Sequence, residues 1–145
     1  MQSSTVDVTP FLEDSSGYRG AAEQVFVPAD LEALREIVLE AARLKMPLTV
    51  AGAGTGLTGA RVPKSGWVVS LERFRTLVIE PGKARCGVGV SLADLHGEAA
   101  RTKQFFGPNP TETSASVGGI IATNAGGARS FRFGAVRNHV LSLTA

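Results

Sequence analysis

The 145-residue chain has a single cysteine, Cys86. One thiol excludes an intrachain disulfide framework and any metal site built on a cysteine cluster. No apolar run approaches the roughly 20 residues that a membrane-spanning helix needs. Residues 1–9 are polar, with no basic stretch and no apolar core, so they do not read as a secretory signal. Charge is also scarce: 19% of residues are Asp, Glu, Lys or Arg, and the net charge is +2. So small and dispersed a surplus leaves no footprint for nucleic acid. The expected setting is cytoplasmic, with peripheral membrane association left open.

Apolar residues make up 43% of the chain, which is globular, and a chain of this length buries roughly 68–70% of its unfolded surface. Glycine is abundant. There are 17 glycines, where average usage of about 7% gives about ten. They concentrate in two zones, at positions 52, 54, 56 and 59 and at positions 107, 118, 119, 126, 127 and 134. Residues 46–60 hold no charged side chain, and residues 104–127 hold only Glu112. A flexible linker carries more charge and serine. These zones read instead as backbone that must approach something closely.

Along the chain, residues 1–20 read as a polar N-terminal segment with one helical turn around Phe11 and Leu12. Residues 25–27 read as a strand. Asp30 fits a helix N-cap, and Leu31, Leu34, Ile37, Val38, Ala41 and Leu44 follow at helical spacing, with Pro47 as the stop. Further strands are expected at 48–51, 67–71, 76–80 and 84–90, with a turn at Pro81-Gly82. Ser91 fits the cap of a second helix. Residues 115–125 read as a short helix or a turn, and residues 140–145 as a strand cut off in mid-run. The fold class is α+β: a small β-α-β subdomain, then a mostly β subdomain, C-terminally incomplete. The expected domain spans residues 21–145.

Gly54-Thr55-Gly56-Leu57-Thr58-Gly59 matches G-x-G-x-x-G and follows a strand. A Rossmann dinucleotide site needs a helix to begin here. Pro63 and Gly66 leave no room for one, because an interior proline costs about 3 kcal/mol. Glu80, at a strand end, is the ribose ligand such a site would use. A Walker A loop is excluded, since Lys64 follows Pro63 and not glycine. Two readings remain: a nest of main-chain N–H groups for an anion, or a plain tight connection between strands.

The second zone begins FFGPNPTETSASVGGIIATNAGG. Pro108 and Pro110 stiffen an extended segment, and Thr111, Thr113, Ser114 and Ser116 offer hydroxyls. Together, AGAGTGLTGA at 51–60 and PNPTETSASVGGIIATNAGG at 108–127 resemble the FAD-binding domain of the vanillyl-alcohol oxidase / p-cresol methylhydroxylase flavoproteins. Within it they resemble the branch of D-lactate dehydrogenases, D-2-hydroxyglutarate dehydrogenases and glycolate oxidase subunits. The strand-helix-strand opening from Val25 matches as well.

The resemblance implies that Gly52, Ala53, Gly54, Thr55 and Gly56 bind the FAD diphosphate through amides, with Leu57 and Thr58 nearby. It implies that Thr113, Ser116, Gly118, Gly119 and Asn124 line the cofactor, with Pro108 and Pro110 approaching its flavin side. Ala51 stands where many relatives carry Arg. Thr55 stands where relatives with covalent FAD carry His, so the implied FAD is noncovalent. The implied chemistry is hydride transfer from C2 of a small 2-hydroxy acid to flavin N5. The substrate site lies in a domain absent from this chain, and an electron-acceptor partner is possible. No catalytic or metal-binding residue is assigned here. The alternatives are a Rossmann NAD(P) module and a non-catalytic truncated subunit.

Of the remaining residues, His96 is expected on a solvated helix face and His139 in a structural role. Cys86 is expected buried and inert. Arg129, Arg132 and Arg137 read as a solvated basic loop, and Trp67 as core.

Overall fold

The apolar triplet at Val25 forms β1 (Gln24–Phe26), the first of three parallel strands in the computed structural model, which describes residues 6–144. Helix α1 (Leu31–Leu44) crosses over to β2 (Leu48–Ala51), and residues 52–66 lead on to β3 (Trp67–Ser70). The sheet order is β1-β3-β2. The third of these strands in chain order is thus the central one, and Val68 and Val69 are almost wholly buried. Asp30 caps α1 as its spacing predicts, its Oδ1 accepting from the Ala33 N–H at 2.9 Å. The helix ends before Pro47: Lys45 turns left-handed at φ 53, and its N–H returns to the Ala41 and Ala42 carbonyls. That is a C-terminal cap of the αL kind, without the usual glycine. Ile37 and Ala41 are the buried face of α1.

The chain divides into two units, one ending at Phe74 and the other beginning at Arg75. In the first, Val25, Ala51 and Val68 form a buried cluster joined by Val6, Val8, Phe11, Ala22 and Val27. Phe26 and Trp67 add a tilted ring pair at 4.9 Å. A 3-10 turn at Thr9–Phe11 is the expected N-terminal turn.

The second unit opens with the hairpin β4 (Leu77–Glu80) and β5 (Lys83–Cys86), joined at Gly82 with φ 74. Ser91 caps α2 (Leu92–Arg101), Oγ accepting from Asp94 N–H at 3.0 Å. Helix α3 (Val117–Ala122) and the single turn α4 (Ser130–Phe133) follow, then a 3-10 turn at Val136–His139. The core joins Val90, Leu92, Leu95, Ala115, Val117, Ile120 and Val136.

Several expectations change here. Strand β5 ends at Cys86, because Gly87 to Val90 closes a turn through Val90 N–H to Gly87 carbonyl at 3.2 Å. Residues 140–144 form no strand, and Ala145 lies outside the described residues. The basic run at 129–137 coils into α4 and the following turn. Among the described residues this unit therefore holds one hairpin and more helix than strand, within an α+β fold.

Candidate functional site

The first glycine zone leaves the end of β2 and reaches β3 without a helix. Residues 52–66 are turns, bends and irregular backbone. A Rossmann site is thereby excluded, since its diphosphate needs a helix N-terminus at this point. Glu80 is equally unfit for ribose; it holds Lys83 at 3.0 Å and Arg85 at 3.5 Å in the hairpin.

Among the described residues, none of the main-chain N–H groups of 53–58 donates to a protein acceptor. Most of this stretch is exposed, and a row of open amides favours negative charge. Gly54 and Gly59 adopt φ 79 and φ 71, where a side chain is strained. The loop carries no carboxylate of its own. It fits a diphosphate better than a cation or an apolar ligand.

The loop is held from outside by residues that sequence reasoning missed. The Arg61 guanidinium donates to the Gly52 carbonyl at 3.0 Å, the Pro10 carbonyl at 2.6 Å and the Glu13 carbonyl at 2.9 Å. It also lies over the Phe11 ring at 5.7 Å. Burial pulls its pKa down, and the charge of Asp14 acts the other way. Asp14 accepts from the Ser16 hydroxyl, which with the Gly59 amide and Arg61 holds its carboxyl below the ordinary range. Arg61 is the first charged residue after the fifteen uncharged positions 46–60, so its place beside the loop was visible in the sequence, although its carbonyl partners were not.

The second zone is built differently. Pro108 and Pro110 are buried, while Thr113 is exposed. Ser116 caps α3, its Oγ accepting from Gly119 N–H at 3.3 Å. Gly118 N–H donates to the Val88 carbonyl at 2.9 Å, and a Cβ on Gly118 would meet Val88 at 2.7 Å. Asn124, left-handed at φ 48, accepts from Arg137 N–H at 3.0 Å through its side-chain oxygen.

His96 is not the solvated histidine expected. It packs at 6.3 Å from the Phe106 ring, its Nε2 is buried without a partner among the described residues, and burial, then Arg129, lowers its pKa. Helix α2 turns that face toward the core. His139 is structural, with Nε2 2.7 Å from the Phe133 carbonyl. Burial raises the Cys86 thiol pKa, which fits an inert thiol. Among the described residues, no three His, Cys, Asp or Glu side chains could hold a metal ion. No described helix is long and apolar enough to cross a membrane.

The fold is that of flavoproteins of the p-cresol methylhydroxylase type. The structure of 6-hydroxy-D-nicotine oxidase from Arthrobacter nicotinovorans is similar, with TM-score 0.78 and 19% identity, over 92% of this chain and 30% of that one. Alkyldihydroxyacetonephosphate synthase is similar with TM-score 0.72 and 19% identity, over 83% and 26%. Residues 22–145 match the FAD binding domain family, and the chain belongs to that family. A D-lactate dehydrogenase of Archaeoglobus fulgidus is 42% identical over 130 residues, 86% of this chain and 29% of the relative. The glycolate oxidase subunit GlcD of Escherichia coli K12 is 29% identical over 143 residues, 94% and 29%. The chain thus spans less than a third of the length of these relatives.

Proposed function

We propose that this chain supplies the FAD-holding portion of a flavin-dependent 2-hydroxy-acid dehydrogenase or oxidase of the D-lactate or glycolate type. The row of unpartnered amides at 53–58, on a loop without charge, is the observation that carries the reading. Gly52, Ala53, Gly54, Thr55 and Gly56 hold the diphosphate, with Leu57 and Thr58 beside it. Pro108, Pro110, Thr113, Ser116, Gly118, Gly119 and Asn124 line the cofactor. Ser116 still has its O–H to donate, and Asn124 its NH2. Thr55 offers no imidazole for a covalent link, so FAD is held noncovalently.

Bound FAD would supply a hydride acceptor at its N5, toward which the hydrogen on C2 of a 2-hydroxy acid would pass as the alcohol became a carbonyl. The residues of this chain bind and orient the nucleotide part of the cofactor. The base for the hydroxyl proton and the groups for the substrate carboxylate belong to the rest of a longer parent protein, so this chain alone turns over little or nothing.

Purified chain mixed with FAD and freed of excess cofactor tests the reading, with the full-length parent as control. The expected result is retained flavin absorbance near about 370 and 450 nm, released intact on denaturation. No binding by either protein at tens of micromolar, roughly the weak end of useful affinity, overturns it. A spectrum that stays with the denatured chain overturns the noncovalent part.

A further inference from the structure

The main-chain direction of the 52–59 loop is set by one side chain. In a trans peptide the C=O and the following N–H point in opposite directions, and the described chain has no cis bond. Arg61 draws the Gly52 carbonyl to its guanidinium at 3.0 Å. The Ala53 N–H, in the same peptide plane, is therefore turned away from the guanidinium. The same guanidinium takes the carbonyls of Pro10 and Glu13, 51 and 48 residues away in sequence. It also fills the space beside Gly54, where a Cβ would lie 2.5 Å from the Arg61 Cζ.

The N-terminal segment meets the far end of the loop as well. A Cβ on Gly59 would stand 3.0 Å from the Tyr18 ring and 3.6 Å from Ser16 Oγ, and one on Gly56 would stand 3.5 Å from Asp14 Oδ2. The Ala21 N–H donates to the Pro63 carbonyl at 2.9 Å just beyond. Arg61 makes no salt bridge among the described residues. Its donors are committed to carbonyls, a use that fixes backbone direction.

We infer that Arg61 is a positioning residue: with residues 10–18 it holds the 52–59 loop so that its amides face a cofactor diphosphate. The N-terminal segment is then part of the frame of the cofactor site. The inference rests on the function proposed above.

The test is FAD titration of the chain with Arg61→Ala and Arg61→Gln, alongside thermal unfolding without FAD. Arg61→Ala loses several charge-assisted hydrogen bonds, so its FAD dissociation constant should rise about tenfold or more. Added ethylguanidinium should restore part of that affinity, because it supplies the missing fork of donors. Arg61→Gln keeps one planar donor and should fall between the variant and the parent chain.

A folded Arg61→Ala or Arg61→Gln chain that binds FAD within about twofold of the parent chain, on the scale where 1.4 kcal/mol is tenfold, overturns the inference. So does lost affinity with no rescue and a matching loss of thermal midpoint, or failure of both variants to fold, since either marks a residue of the fold alone. Failure of the unsubstituted chain and full-length parent to bind FAD is a separate outcome, and it removes the proposed function itself.

Discussion

The two glycine zones look alike on paper and differ in what they do with their amides. In the first, the N–H groups of 53–58 are open. In the second, Gly118, Gly127 and Gly134 donate to the Val88 carbonyl, Ser130 Oγ and the Ser130 carbonyl, and Gly119 donates to Ser116 Oγ. Its glycines let backbone and side chains come close: Cβ atoms on Gly107 and Gly118 would crowd His139 and Val88 at 3.0 and 2.7 Å. A Cβ on Gly127 would overlap the Asn109 carbonyl. Uncharged glycine-rich sequence thus has two physical meanings. In one the glycine leaves main-chain amides open; in the other it removes a side chain from a packed contact.

Substitution separates the two meanings. The largest effect is expected at Gly127, because the atom in the way is main chain that cannot rotate aside. Gly127→Ala should cost about 3 kcal/mol or more of stability, in the upper range for overpacking, and thermal unfolding without FAD reads it. A shift under about 1 kcal/mol, the centre of ordinary point substitutions, would erase the contrast. Gly54→Ala should behave in the opposite sense. Its Cβ meets the flexible end of Arg61, which can move, so stability falls only by about 1–2 kcal/mol, mainly from the left-handed φ. Moving the guanidinium releases the Gly52 carbonyl, and FAD affinity should drop about tenfold or more. Equal losses of stability at both positions would mean that the first zone is a packing element too.

Local chemistry was legible where one residue decides one bond. Asp30 and Ser91 announced their helices, and Pro63 with Gly66 correctly forbade a helix after Gly59. The loop itself was legible because a charge-free run of glycines after a strand has few uses. Arg61 was not, because its partners Pro10 and Glu13 are distant in sequence and are carbonyls, which every residue has. Ser116 read as a ligand hydroxyl, yet its Oγ first serves as the α3 cap; a serine before Val-Gly-Gly-Ile fits both. The strand expected at 84–90 failed at Gly87, where alternation of Cys86, Val88 and Val90 persists although the backbone has turned. Val90 is buried at the foot of α2 and not in a sheet, a placement that periodicity alone cannot distinguish.

The smallest effect concerns protons in the second unit. His96 sits against Phe106, the residue before Gly107, with Nε2 lacking a partner among the described residues. Burial first, and the Arg129 charge second, lower its pKa below the ordinary 6.5. The unfolded chain therefore takes up a proton near pH 6.5 that the folded chain refuses until a lower pH. Stability is full above that ordinary value and is lost as the pH falls toward the folded one. His96→Phe keeps the ring against Phe106 and removes the titration. Its fall in thermal midpoint between about pH 7.5 and pH 5.5 should be smaller than the parent's by about 1–2 °C, the scale of a few tenths of a kcal/mol in a chain this size. An identical pH dependence would place His96 in water.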